Sequence, residues 1–264
     1  MKKQELVWSP FLTLFSREIR RFSKVLAQTI FIPVVNSFIY LLIFGVSLGK
    51  NIQVLEGLSY LEFLIPGLIM MGCMNNSYQN GSSSLLSMKF GGEIVDIKTS
   101  PLSVQQIVWA MSLGGLFRGL VVGLVVFISG EMFHYFYEHT WLIPAHPFYF
   151  LFFCVIGGLA FTKLGIAVAF WAKTFDHISA IGGFIILPLI YLGGVFFSLD
   201  NLHSFWVKVS YFNPLLYFIN GVRYGVLGVS DVSINTAFWV SLLGLFLFHL
   251  IAIWTLKKGS YQPW

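Results

Sequence analysis

From Ile178 to Leu199 the chain runs for about the ~20 residues that cross a hydrocarbon core, without one charged side chain. Beyond Asp200 it stays apolar and aromatic, yet Lys208 and Arg223 bracket only VSYFNPLLYFINGV. That length suits a re-entrant or interfacial segment, not a crossing. Asn213-Pro214 interrupts it, because proline removes a backbone donor and pushes the preceding residue out of helical geometry. The stretch therefore reads as one spanning helix, 178–199, followed by a re-entrant pair of short helices over 202–228. The whole chain agrees with lipid as its solvent: 57% of its 264 residues are hydrophobic and only 10% charged, against about 25% charged in soluble domains. Mean hydropathy is +0.80.

Five further apolar stretches, at 28–48, 63–85, 106–130, 148–171 and 236–256, read as spans in the same way. The fold class expected is an all-α polytopic membrane protein with six transmembrane helices, built as a single domain over 1–264. An amphipathic helix over 5–27 precedes the first span. Arg17, Arg20, Arg21 and Lys24 share one face of it, while Phe15, Ile19, Phe22 and Leu26 share the other. Ser9-Pro10 would cap its start. Such a helix lies in the headgroup layer with its cations toward anionic lipid.

Polar residues inside the spans are the candidates for function. Asn75, Asn76, Gln79 and Asn80 follow FLIPGLIMMGCM in the second span, where each would be costly against lipid. They line a transport path or tie helices together by hydrogen bonds. Arg118 near the middle of the third span must face a polar partner or water. Lys163, about two turns from a span end, can snorkel. Gly115, Gly119 and Gly123 form a small-residue stripe for close helix approach. Pro188 interrupts the fifth span.

Several motifs fail on inspection. GVSLGKN lacks the four-residue glycine spacing and the Ser/Thr after lysine that a phosphate loop needs, since Asn51 follows Lys50. His134 and Glu138 share a helical face in the histidine- and glutamate-bearing loop 131–147, but no His-Glu-x-x-His set occurs. The loop reads as an aromatic interfacial cap, and no metal site is assigned. Cys73 and Cys154, both in apolar runs, read as buried small hydrophobes. No catalytic constellation is visible.

The net charge of +5 is a topology signal, not a nucleic-acid one. Six crossings put eleven lysines and arginines on the side of the termini and three (Lys50, Lys208, Arg223) on the other, with Arg118 and Lys163 inside spans. The positive-inside rule then makes both termini cytoplasmic. A seventh crossing over 203–228 would move Lys257-Lys258 outside and weaken that bias.

The order Pro188, Gly193-Gly194, Asn213-Pro214, Arg223-Tyr224 resembles the C-terminal half of type-2 ABC exporter permeases. Ser100-Pro101-Leu102-Ser103 before the third span, and YLEFLIPGLIMMG opening the second, resemble the same family. The resemblance implies a permease of the bacterial inner membrane that pairs with a second permease chain, usually a copy of itself. It also implies two separate ATPase chains that bind ATP and Mg; this chain carries no cofactor and is not itself an enzyme. The loop 86–105 becomes the coupling segment that docks on the ATPase, through Phe90, Glu93, Ile94, Asp96, Ser100 and Pro101, and the short loop 172–177 adds Asp176 as a contact. Ser100-Pro101 would also cap the third span. Asn75, Asn76, Gln79, Asn80, Arg118 and Pro188 become path candidates; Phe205, Asn213, Pro214, Tyr217, Arg223 and Tyr224 become outer-gate candidates. The substrate class is hydrophobic or lipid- and glycan-like. Two other readings stay open: an ion-coupled transporter using Arg118, Lys163 and Glu62, although no repeat relates the halves, and a non-transporting membrane scaffold.

Overall fold

The computed structural model describes residues 2–49 and 57–258; Lys50, Asn51 and Glu56 of the first loop, and the short tail after Lys258, lie outside them. The described residues are helical, with no strand. In chain order the helices are α1 (Lys2–Ser23), α2 (Leu26–Tyr40, running on as a π-helix over Leu41–Leu48), α3 (Tyr60–Phe90), α4 (Glu93–Thr99), α5 (Val104–Glu138), α6 (Pro147–Trp171), α7 (Phe175–Ile181), α8 (Leu187–Ile190), α9 (Ser204–Phe212), α10 (Pro214–Leu227) and α11 (Ile234–Lys258).

Five helical stretches are long and apolar enough to cross a membrane: Leu26–Ser47, Val104–Glu138, Pro147–Trp171, Phe175–Val195 and Ile234–Lys258. The sixth expected span is the helix α3. Its 31 residues reach about 46 Å at 1.5 Å per residue, but its second half is too polar to meet the same apolar standard. It is instead the hub of the bundle, packed most extensively along α6 and α5 and also against α10, α4 and α7. Its start is fixed by a capping box in which Ser59 and Glu62 exchange side-chain and backbone hydrogen bonds. Glu62 thus belongs to the first turn, not to the preceding loop.

The helix α5 starts by the same device, three residues later than Ser100. Ser103 and Gln106 form its capping box, whereas Ser100 closes α4 by donating to the Ile97 carbonyl at 2.5 Å. The S-x-x-Q spacing satisfies two orphan N–H groups reciprocally, which Ser100-Pro101 cannot do. At the other end of the bundle Asn213 does cap α10, accepting from the Leu215 N–H at 3.1 Å, with Pro214 as first helical residue. The stretch 175–195 passes Pro188 through two π-helical turns, Gly182–Ile186 and Tyr191–Val195, which re-route the ladder that a proline breaks.

The helix α1 begins ahead of Ser9-Pro10 and includes both. Ser9 is therefore not a cap, and its carbonyl accepts from Thr13 Oγ1 at 2.8 Å. Its buried ridge is Leu14, Glu18 and Phe22, packed against α5. The apolar face expected from Phe15, Ile19 and Leu26 is rotated, because a buried partner for Glu18 exists on α3. Peripheral helices expose broad apolar faces, including Phe31, Ile32 and Phe38 on α2, Phe184 and Ile185 ahead of α8, and Leu243, Phe246 and Leu250 on α11. Lipid or another chain is the only solvent that suits them.

Candidate functional site: a polar strip between two cavities

The polar turns of α3 do not scatter; they make a continuous strip that meets α1 and α5. Arg21 of α1 donates to the Asn80 carbonyl and to Asn80 Oδ1, both at 2.9 Å, and to Ser83 Oγ at 3.1 Å. Glu18, fully buried, accepts from Ser84 Oγ at 2.6 Å and lies 3.7 Å from Arg21. A buried carboxylate needs such partners to stay charged. Burial pulls the Arg21 pKa below its ordinary value, and the Glu18 charge opposes that shift. One turn deeper, Arg118 of α5 donates to Asn76 Oδ1 at 3.4 Å, while Asn76 itself back-bonds to the Gly72 carbonyl at 3.1 Å.

Two cavities flank this strip. One of about 420 Å³ opens toward α2 and is lined by Arg21, Gln28, Asn36, Asn75, Gln79 and Arg118 among others. The second, of about 400 Å³, opens toward α7 and the π-turn before α8. Asn75, Gln79, Ser83 and Arg118 border both. A basic groove along α1, lined by Arg17, Arg20, Arg21 and Lys24, adjoins the first cavity through Arg21. Hydrogen-bonding groups and two guanidiniums thus surround a space between otherwise apolar helices. Such a site offers hydrogen-bond donors to a polar or anionic group.

Of the sequence-predicted path residues, Asn75, Asn76, Gln79 and Arg118 line these cavities, and Asn80 is buried behind them as a partner of Arg21. Pro188 is exposed on the flank of the bundle and borders neither. Arg21, Glu18 and Ser83 were missed, since amphipathic spacing places Arg21 with lipid-facing cations and gives no sign of its reach to α3. Lys163 does not snorkel. It is fully buried, with Nζ 3.7 Å from the centroid of the Trp109 ring. Helices α3, α5, α10 and α11 surround α6, which leaves the ammonium no route to the headgroups. Arg118, Lys163 and Glu62 consequently sit in three separate environments.

At the end bearing α4, the coupling candidates divide. Gly92, at φ 74°, turns the chain sharply from α3 into α4, a conformation that glycine adopts freely. Ile94 is 3% exposed and faces Leu85, Ile107 and Met111. It anchors α4 and is not presented to a partner. Phe90, Glu93, Asp96 and Asp176 are exposed, and Phe90 lies beside Phe175 with ring centroids 5.8 Å apart. Glu93 pairs with Arg17 at 2.6 Å, which ties α4 to α1. Lys89 does not join this surface: its Nζ donates to the carbonyls of Ala169, Phe170 and Ala172, capping α6.

At the opposite end, Arg223 is fully buried and donates to the Gly194 carbonyl at 2.6 Å and to Asn220 Oδ1 and Asp231 Oδ2, each at 3.3 Å. Its guanidinium lies 3.8 Å from the Phe63 ring centroid. Asn213 donates to the Leu189 carbonyl at 2.6 Å, and Tyr217 to the Tyr211 carbonyl at 2.9 Å. Tyr224 stacks on His146 at 4.7 Å. Phe205 is exposed, as are Trp206 and Phe212 of the same short helix. The outer-gate candidates therefore comprise a buried latch around Arg223 and an exposed aromatic helix, α9.

Comparison with known proteins places this geometry. The chain matches the ABC-2 type transporter family over residues 9–227. It is 38% identical to the inner membrane transport permease YadH of Escherichia coli (strain K12), over 96% of this chain and 97% of the relative. It is 26% identical to nodulation protein J of Rhizobium leguminosarum bv. viciae, over 83% of this chain and 82% of the relative. The counterpart in Azorhizobium caulinodans is 23% identical, with 92% of each chain covered. A match over residues 9–227, together with 38% identity across 96% of the chain, identifies the protein as a member of the ABC-2 type transporter family.

Proposed function

We propose that this chain is the transmembrane subunit of an ATP-driven exporter, moving an amphiphile with a polar or anionic head and a lipid-like body outward across a bacterial inner membrane. The observation that carries the reading is the strip Asn75–Gln79–Ser83 with Arg118, bordered on both sides by cavities and continuous with the basic groove of α1. Six crossings put both termini in the cytoplasm, with α3 as the buried second crossing and α9–α10 re-entrant from the outer side. At about 14 and 21 Å, those two helices are too short to span. Two copies of a separate ATPase, binding ATP and Mg, dock against Phe90, Glu93, Asp96 and Asp176 and act on the bundle through α4. The exposed apolar faces of α2 and of 175–195 fit a second copy of this chain, with lipid over the remainder. The family membership and the name of the Escherichia coli relative support the membrane and the transport role; neither fixes the cargo.

The separation of Arg118, Lys163 and Glu62 argues against an ion relay through them. The test is a reconstituted complex in proteoliposomes, offered labelled amphiphiles that share an acyl tail and differ in head group. ATP-dependent outward movement preferring a phosphate head, reduced about ten-fold or more by Arg118→Gln (about the 1.4 kcal/mol of one charge-assisted hydrogen bond), is expected. Movement driven by a proton gradient without ATP would refute the reading.

A further inference from the structure

At the end of the bundle opposite α4, three side chains from two helices converge. His134 Nε2 lies 3.1 Å from Glu138 Oε2 and 3.5 Å from Glu62 Oε1. One ligand atom from each residue falls within 4.8 Å of the others. Spacing along the chain shows only His134 and Glu138, one turn apart; the fold supplies Glu62 from the first turn of α3.

The imidazole is oriented for a ligand. His134 is 1% exposed, and its Nδ1 lies 2.9 Å from the Thr140 carbonyl. A carbonyl only accepts, so Nδ1 donates to it and Nε2 is the ring nitrogen left to face the carboxylates. Nε2 faces one oxygen of each carboxylate, a position from which all three atoms can reach one ion. A backbone carbonyl holding the far ring nitrogen is the arrangement that fixes metal-binding histidines. Charge in the neighbourhood favours the same answer. Glu131, one turn before His134, is 8% exposed; its Oε2 accepts from the Leu142 N–H at 3.0 Å while Oε1 has no partner. Among the described residues, the ion-pair contacts of Glu62 and Glu138 run to His134. The two carboxylates of Glu62 and Glu138 are the pair of negative ligands that a dication balances.

We propose that Glu62, His134 and Glu138 form a binding site for a divalent transition-metal ion, of the Zn²⁺ or Mn²⁺ class, that ties the start of α3 to the end of α5. One imidazole nitrogen with two carboxylate oxygens suits those ions better than Ca²⁺ or Mg²⁺. Tetrahedral ligands at about 2.0–2.1 Å stand about 3.3–3.4 Å from one another, close to the 3.1 and 3.5 Å from His134 Nε2 to the two carboxylate oxygens. Glu62 Oε2 remains engaged by the Ser59 N–H at 2.9 Å, so Oε1 is the ligand atom. The Glu62 and Glu138 side chains are 23% and 31% exposed, which leaves water a way to complete the shell.

The test uses the full chain in lipid nanodiscs, carrying a tag without histidine, stripped with EDTA and titrated with Zn²⁺ and Co²⁺. Removing even an outer partner of a metal ligand costs about 10–100-fold in affinity, so Glu62→Gln and Glu138→Gln should each weaken binding at least that much. Glu62→Gln keeps the capping box, because glutamine serves at that position, and Glu138→Gln lies at an accessible helix end. One ion per chain, visible Co²⁺ absorption bands, and a Zn²⁺-dependent rise in melting temperature absent from both variants are expected. Binding by the unmodified chain no stronger than by the variants would overturn the proposal. So would a doubly protonated His134 ring at neutral pH, seen by ¹⁵N NMR, that Zn²⁺ does not change.

Discussion

Arg223→Met offers the sharpest energetic test of the packing. The guanidinium is wholly buried, paired with an Asp231 side chain that is 2% exposed, and bonded to the Gly194 carbonyl at 2.6 Å. Asp231 also accepts from Ser198 Oγ at 2.5 Å. Four segments therefore meet at one charge: α10, the turn after it, the end of the π-turn at Gly194, and α3 through Phe63. Methionine keeps the apolar contact with Phe63 but strands the carboxylate. Breaking a buried pair from one side costs about 3–5 kcal/mol. At about 2–4 °C per kcal/mol for a chain of this size, melting should fall by roughly 10 °C. Asp231→Ala should cost a similar amount, because it strands the arginine. The double variant removes both charges, so its loss should be smaller than the sum by about 2–3 kcal/mol. Thermal unfolding of the four proteins in nanodiscs measures the cycle. Additive losses, or an Arg223→Met protein that melts within about 2 °C of the original, would refute the latch. Lost transport with unchanged melting would instead assign Arg223 to the gate.

Other consequences follow from the same contacts. Glu93→Lys with Asp96→Lys should leave folding nearly intact, since an exposed pair such as Arg17–Glu93 contributes about 0–1 kcal/mol. Those substitutions should uncouple ATP hydrolysis from transport; normal transport by the variant complex would remove α4 from the docking surface. Gly119→Leu should lower stability by about 1–3 kcal/mol. A Cβ there would overlap Ser77 Oγ and lie 2.8 Å from the Cys73 carbonyl, and unchanged melting would contradict the α3–α5 contact.

Sequence periodicity located the apolar helices because bilayer thickness imposes a length that survives every detail of packing. It also located the break at Asn213-Pro214, where the chemistry is local. The two capping boxes, Ser59–Glu62 and Ser103–Gln106, were equally local and legible in principle. Ser100-Pro101 offers a competing cap signal three residues ahead of the second. The remainder depended on contacts between distant segments. Glu18 reads as a polar position on a surface helix until Ser84 and Arg21 are placed beside it. Lys163 reads as a snorkelling lysine until Trp109 closes over it. Glu62 reads as a loop carboxylate until the end of α5 brings His134 within 3.5 Å. Polar residues inside a bundle are specified by their partners, and partners are a property of the fold. The strip Asn75–Asn80 was visible as a cost against lipid; that cavities border it on two sides was not.

We propose that this chain works as the membrane half of an ATP-driven pair. Isolating the full chain from its native membrane in mild detergent, and identifying by mass spectrometry what remains attached, tests it most directly. A stoichiometric soluble chain with nucleotide-binding motifs, retained by the unmodified protein and lost when Phe90, Glu93 and Asp96 are replaced together, is expected. A folded chain that carries no such partner, and still moves substrate in liposomes without ATP, would contradict it.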